Sequence, residues 1–531
     1  MNKFQLLSRL NNLRCFQKKW GATSGFAFLL LSSIFSQTKV SLNADLAKTQ
    51  INKNIYGHFA EHLGRCIYDG IYVGDKNSKI PNTGGVRNDV IKALKDLQIP
   101  NLRWPGGCFA DTYHWKDAIG PKDKRKPIEN LSWGNYREDN SFGTTEFLNM
   151  CELLGAEPYL ATNMNSGSVQ EAVEWVQYAN SKNGTSYLTD MRAENGRDKP
   201  WNVKYWGIGN ESWDCGGDMR VEHYLDLYRQ YATAMTSYGN TEKLFRIAVG
   251  PGSPNHYHWT EEIMKTLPAR RFEGISIHHY SVIDWGKKGS SDQFTDKEYF
   301  ITMQRALFME EFIKTNKAIM DKYDPEKRVA LIVDEWGGWY ETDPVGNGAL
   351  YQQNTIRDAM IAGITLNIFN NNADRVRMAN LAQTVNVLQA VILTKEEKMV
   401  LTPTYHVMEM YKVHQDATLV PVQVITNDFM VDGERIPAVS VSASIDKARK
   451  MHVSLTNLDN TANQKVELSL NSFKVSKVTG RILTSPKVQD GNTFDNPTKV
   501  TPKAFSGATV SGNQLSVDMP KNSVVVLELS E

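Results

Sequence analysis

Apolar residues along this chain fall into two alternating rhythms. Short continuous apolar runs, of the length of buried strands, occur at residues 54–61, 99–107, 156–165 and 203–211. Four more follow at 246–253, 272–280, 329–337 and 378–388. Between them apolar positions recur at helical spacing. Residues 86–98 put Val90, Ile91, Leu94 and Leu97 on one face. Residues 144–154 begin after a Gly with a capping-type Thr and stop at Gly155. Residues 168–181 open with Ser168 and offer Glu171 three positions on, a capping box. Further helices are predicted at 221–238, 259–267, 298–323, 350–369 and 403–414. Strand then helix, eight times over, predicts an α/β fold of the (β/α)8 TIM-barrel type over residues 51–415, not an open doubly wound sheet. From 416 to 531 the rhythm changes to strict alternation broken by Asn, Gly and Pro turns, as in Met451-His-Val-Ser-Leu-Thr-Asn457 and Ser523-Val-Val-Val-Leu-Glu-Leu529. That pattern predicts a C-terminal antiparallel β-sandwich domain. Within residues 37–50, Val40 to Leu46 is predicted to add a strand to it.

The N-terminus reads differently. Lys3, Arg9, Arg14, Lys18 and Lys19 precede an apolar run at 26–35 that is short for a bilayer span. The pattern is that of a signal peptide over residues 1–36, so the expected location is secreted or periplasmic, with no stable membrane insertion after its removal. Of the five cysteines, Cys15 lies in that leader. Cys66, Cys108, Cys151 and Cys215 form no CxxC pair or zinc spacing, and nothing in them demands a disulfide framework. Charge is balanced, with 60 Lys+Arg against 59 Asp+Glu. No basic arm stands out, which gives no reason to propose nucleic acid as a partner. The 12 Trp and 21 Tyr suit a surface that stacks on sugar rings, but large barrels also use aromatics as packing.

In a barrel, reactive side chains project from the C-terminal ends of strands. Those ends supply Glu61, Arg103 to Cys108, Asn163 to Asn165, Asn210-Glu211, His278 to Tyr280, Asp334-Glu335 and Gln383. Glu211 and Glu335 each close a very apolar strand beside aromatic residues. Two carboxyl groups on one rim, one holding a proton and one ionised, are what hydrolysis of a glycosidic bond requires. A single strand-end Glu could equally pair with an Arg or cap a helix; two on one rim favour chemistry.

The same residues carry a resemblance. Gly57-His-Phe-Ala-Glu-His-Leu-Gly-Arg65, Leu102-Arg-Trp-Pro-Gly-Gly107, Gly207-Ile-Gly-Asn-Glu211, Asp334-Glu-Trp336 and Leu381-Ala-Gln-Thr-Val-Asn386 look like the α-L-arabinofuranosidases of glycoside hydrolase family 51. The match runs from about Val40 to His414. It implies a retaining, exo-acting enzyme that releases arabinofuranosyl units from arabinan, arabinoxylan or their oligosaccharides, without metal or other cofactor. It implies Glu211 as acid/base, Glu335 as nucleophile and Asn210 as the partner of the sugar 2-hydroxyl. Glu61, Cys108, Tyr280 and Gln383 would bind the sugar, Arg103 and His278 would orient the carboxylates, and Trp133 and Trp339 would wall the pocket. An Asn is familiar where this chain has Cys108, so only a backbone contact carries over there. A homo-oligomer, specifically a hexamer, is also implied.

Three rival readings remain on the sequence. His58-Phe-Ala-Glu-His62 satisfies the H-x-x-E-H pattern of a zinc peptidase, but that motif needs a helix and this segment reads as strand and turn. A non-catalytic carbohydrate-binding protein would need neither carboxylate. A β-xylosidase or endoglucanase would keep the mechanism and change the substrate.

Overall fold

Eight parallel strands close into a barrel in the computed structural model, which describes residues 37–238, 243–343 and 349–531. The expected leader, residues 1–36, lies outside the described residues. The barrel strands are β1 (Gly57–Phe59), β2 (Asn101–Trp104), β3 (Glu157–Thr162), β4 (Tyr205–Ile208), β5 (Phe245–Val249), β6 (Gly274–Ser281), β7 (Ala330–Gly338) and β8 (Val376–Ala382). The circle closes where Asn380, Leu381 and Ala382 of β8 pair with Gly57, His58 and Phe59 of β1. Strands β1, β2, β4 and β7 are buried along their whole length, which is why they read as continuous apolar runs without alternation. Inside the barrel Tyr159, Tyr205, Ile247, Ala330, Ile332 and Met378 form a packed plug, so the functional groups stand on a floor and not over a pore.

The strands are shorter than their apolar runs because each run continues into the loop that shapes the rim. The run at 54–61, for instance, starts as a 3-10 turn, Lys53–Tyr56, capped by the Asn52 side chain accepting from the Asn54 N–H. Helices form where the periodicity placed them, with Thr144–Leu154 ending at left-handed Gly155. Ser168 caps Val169–Asn180 by accepting from the Glu171 N–H, but only half of the expected box forms. The Glu171 carboxylate turns instead to His114 Nδ1, 3.1 Å away. A helix at Tyr187–Glu194 carried no apolar stripe strong enough to be predicted.

Beyond the barrel lie a six-stranded sheet and a five-stranded sheet. Thr38–Asn43 belongs to the second, pairing in parallel with Gln464–Asn471 and antiparallel to Val422–Ile425. The barrel helix Ile356–Asn371 is buried on every side up to Asn370, because it packs between barrel and sheet. Its polar positions are spent at that seam: Asn367, Asn370 and Asn371 donate to Ser440 Oγ, Ser442 Oγ and the Val441 carbonyl. These contacts fix the β-domain to the outer side of the barrel.

Candidate active site

Glu211 and Glu335 face one another across a cleft of about 780 Å³ at the C-terminal rim. Two backbone irregularities put them there. Strand β7 carries one extra residue: its register slips against β6 between Ser276 and His278, and against β8 between Val333 and Trp336. A bulge re-aims side chains, and here the consecutive Asp334 and Glu335 both reach the interior, where alternation would have parted them. Glu211 sits at φ +37°, in the left-handed region rarely used by non-glycine residues, in the turn that follows Gly209. Asp111 holds that turn, one carboxylate oxygen accepting from the Asn210 N–H and the other from Met164 and Asn165.

Each oxygen of Glu335 has a donor. Arg103 Nη1 gives to Oε1 at 2.9 Å and the Tyr280 hydroxyl gives to Oε2 at 2.7 Å. Arg103 Nη2 donates to Asn210 Oδ1 at 2.6 Å, and the Asn210 amide nitrogen faces Cys215 Sγ at 4.0 Å. His278 stands between the carboxylates, with Nδ1 2.8 Å from Glu211 Oε1 and Nε2 3.1 Å from Asp334 Oδ1. One donor atom from each of Glu211, His278 and Glu335 lies within 4.8 Å of the other two. Glu61 makes a second node, accepting from the Gly107 and Phe109 N–H groups, Trp133 Nε1 and Gln383 Nε2. The glycines of Trp-Pro-Gly-Gly are required by this crowding: a Cβ on Gly106 would lie 2.8 Å from Glu61 Cγ, and one on Gly107 2.8 Å from Glu335 Oε1.

The charges sort themselves by surroundings. Burial pushes Glu211 above the usual carboxylate range, offset in part by His278, so this carboxyl keeps its proton to higher pH. Burial works against a charged imidazole, yet Glu335 and Asp334 outweigh it and hold His278 up at about 10. Burial likewise disfavours an ionised Asp334, but Arg103 and His278 bring it below its ordinary value. Glu61 is pushed up to about 7 by burial and by the nearby charge of Glu335. Glu211, raised by burial, thus stands opposite a doubly hydrogen-bonded Glu335, two carboxyl groups in different surroundings.

All eleven residues singled out on the sequence touch this cleft or its immediate supports. Trp339 packs edge-on to Tyr280 with ring centroids 5.0 Å apart, and Trp133 is tied to Glu61. Trp206, by contrast, is core packing, its indole N–H on the Val203 carbonyl. Cys108 does line the cleft, but as half of a disulfide with Cys215, which the cysteine spacing gave no reason to expect. The two sulfurs meet because the turns after β2 and β4 converge at the rim past β3, 107 residues apart in the chain. The zinc-peptidase motif fails on geometry. His58 lies in β1, buried with both ring nitrogens unpartnered, and His62 faces Glu138 while stacking on Phe109. Neither histidine joins a group able to share a cation among the described residues. In the loop after Trp115, Arg125 is buried and forks onto Glu146. Asp111, Tyr159 and Cys215 were missed as site residues, and Asp334, named with Glu335 at its strand end, had been given no role.

Comparison with known proteins accords with this arrangement. The α-L-arabinofuranosidase 1 domain model matches residues 93–298, and the α-L-arabinofuranosidase C-terminal domain model matches 334–523. The intracellular exo-α-L-arabinofuranosidase of Bacteroides ovatus is 49% identical over 95% of this chain and 98% of its own. The α-L-arabinofuranosidase C of Emericella nidulans is 35% identical over 67% of this chain and 71% of its own. Among solved structures, the family 51 arabinofuranosidase of Xanthomonas axonopodis pv. citri superposes with TM-score 0.91 at 45% identity, covering 93% of this chain and all of that one. A bifunctional glucanase-xylanase from a metagenome library, at 14% identity and TM-score 0.58, shares the fold alone. The Bacteroides relative is named as intracellular, which overturns the expected secreted or periplasmic location. The apolar run that prompted that expectation is a compositional pattern only, and compositional patterns do not fix an address. By near-full-length likeness, by its two matched domains and by the architecture of its rim, the chain belongs to the α-L-arabinofuranosidases of glycoside hydrolase family 51.

Proposed function

We propose that this enzyme releases terminal non-reducing α-L-arabinofuranosyl units from arabinan, arabinoxylan or derived oligosaccharides by a retaining double displacement. Glu335 attacks the anomeric carbon while Glu211 gives its proton to the departing oxygen. Water then enters, yields a proton to Glu211, and its oxygen displaces the Glu335 carboxylate with a second inversion. The observation that carries this reading is the approach of Glu211 and Glu335 oxygens to within 4.8 Å. That approach is nearer the roughly 5–5.5 Å of retaining pairs than the roughly 6.5–9.5 Å by which inverting pairs admit a water. Asn210, whose carbonyl oxygen is held by Arg103 and whose amide nitrogen lies beside Cys215 at the cleft edge, serves the 2-hydroxyl. Glu61 and Gln383 hold further hydroxyls, and Trp133 and Trp339 exclude water from the reacting centre. Proton NMR of the first product tests the mechanism: arabinose should appear with retained configuration, and an inverted first product refutes it. An aryl-glycoside panel tests the substrate, with α-L-arabinofuranoside expected to be turned over far better than β-xyloside or cellooligosaccharide. A hexameric assembly is part of the same reading, supported by exposed Val424 and Ile425 on the sheet-edge strand Val422–Ile425, and light scattering should report a six-chain mass.

A further inference from the structure

The Cys108–Cys215 disulfide takes no part in the double displacement, yet it lies against the proposed acid/base. Cys108 begins the turn Cys108–Thr112 that follows β2, and Cys215 lies four residues beyond Glu211 in the turn after β4. Cys215 Sγ is 3.7 Å from Glu211 Oε2. One donor atom from each of Cys108, Glu211 and Cys215 lies within 4.8 Å of the other two, and all three residues are partly exposed. A solute entering the cleft can therefore reach the sulfurs.

Disulfides persist in oxidising compartments; inside cells they are rare and mostly transient or redox-sensing. A relative matching nearly the whole chain is named as intracellular. A cellular thiol would open the bond by exchange, two RSH giving two cysteine thiols and one RSSR. Reduction uncovers two soft sulfur donors beside a carboxylate. Two thiolates, one carboxylate and a water make a four-coordinate set for zinc and other thiophilic dications. Tetrahedral Zn–S bonds of ~2.3 Å place their sulfurs roughly 3.8 Å apart, a separation that side-chain rotation supplies at the 5.5 Å Cα–Cα spacing seen here. The Cys215–Glu211 edge is already of that size.

We propose that the reduced Cys108–Cys215 pair, together with Glu211, is a binding site for a thiophilic divalent cation of the zinc class, and that occupancy silences the enzyme. Binding takes up the cation with loss to solvent of the two thiol protons and of the proton on Glu211, and it engages the carboxyl that must protonate the leaving group. The disulfide form has no thiolate to offer, so the same protein is cation-sensitive when reduced and insensitive when oxidised. The silencing rests on Glu211 being the acid/base; the binding does not.

The test uses the full chain, stripped with chelator, desalted, and divided into an oxidised batch and a phosphine-reduced batch. Each is titrated with cadmium, followed by thiolate-to-metal charge-transfer absorbance, and with zinc, followed by hydrolysis of an aryl arabinofuranoside relative to its own metal-free rate. The reduced protein should show the charge-transfer band saturating at one cadmium per chain and lose at least about tenfold in rate with zinc, or ~1.4 kcal/mol. The oxidised protein should show neither change. Reduced Cys215→Ser and Cys108→Ser, which keep the buried free thiols Cys66 and Cys151, should lose both responses. A band or an inhibition that is equal in the oxidised protein, or that survives both substitutions, places the cation elsewhere and overturns the proposal. Binding without inhibition overturns the silencing, and it does so independently of the role of Glu211, which azide rescue of Glu211→Ala tests separately.

Discussion

Replacing Arg103 by lysine keeps a cation at the centre of the site and removes its fork. Arg103 is buried, with its guanidinium 4.5 Å above the Phe59 ring. One nitrogen holds Glu335 at 2.9 Å and the Asp334 carbonyl at 3.0 Å, the other holds Asn210 at 2.6 Å. A lysine ammonium can serve one side of that bridge at a time, so at least one charge-assisted bond is lost with little water to replace it. Such bonds are worth about 1.5–3 kcal/mol. If the loss falls on the transition state, kcat/KM drops by about 10- to 150-fold. Arg103→Met removes the cation as well, leaving His278 alone to balance the buried Asp334 and Glu335. That change should lower the melting temperature sharply, since breaking a buried pair costs about 3–5 kcal/mol. Because Arg103 helps hold Asp334 below its ordinary value, the acidic limb of the rate profile should also move to higher pH. Steady-state kinetics on an aryl arabinofuranoside across pH, with calorimetry on the same samples, measure all three effects. An Arg103→Lys enzyme within about twofold of the parent, ~0.4 kcal/mol, would show that the bridge does not position the site.

Other outcomes follow from the same geometry. Glu211 must be protonated to act as acid, burial raises it and His278 opposes that rise, so His278→Gln should push the alkaline limb of kcat/KM to still higher pH while lowering kcat; an unmoved limb contradicts the pairing. Tyr280→Phe deletes a 2.7 Å bond to Glu335 and should cost about 1.5–3 kcal/mol in kcat with an unchanged melting temperature, checked by kinetics and calorimetry. Treatment of the oxidised enzyme with EDTA should leave the rate intact, because carboxylates supply both proton transfer and nucleophile; loss restored by zinc would contradict this.

The barrel was legible because burial on both faces turns each strand into an apolar run, and because helices such as Thr144–Leu154 carry their stop signal in Gly155. The rim could be reached by reading the ends of those runs. What the runs could not carry is geometry made by departures from regularity. Strict alternation would set Asp334 and Glu335 on opposite faces, and only the extra residue in β7 brings both inward. The left-handed backbone of Glu211, and the carboxylate of Asp111 that secures its turn, leave no mark on hydrophobic periodicity. The disulfide was hidden for a related reason: Cys108 and Cys215 are neighbours only once β2 and β4 take their places in the barrel. Glu171 shows the opposite error, a local motif whose side chain is claimed by a distant histidine.

The central claim is the division of labour between the two glutamates, and azide tests it most directly. Glu211→Ala should still be glycosylated by an activated aryl arabinofuranoside, stall as the covalent intermediate for want of a general base, and show a burst. Azide needs no base and fits the space left by the carboxylate, so it should restore the rate and give the glycosyl azide of retained configuration. Glu335→Ala cannot form the intermediate. There azide can enter only from the vacated nucleophile side, and the product should be inverted. NMR assignment of the two glycosyl azides decides the matter: retained from Glu211→Ala and inverted from Glu335→Ala is the predicted result, and an exchange of these outcomes between the two variants would contradict the account.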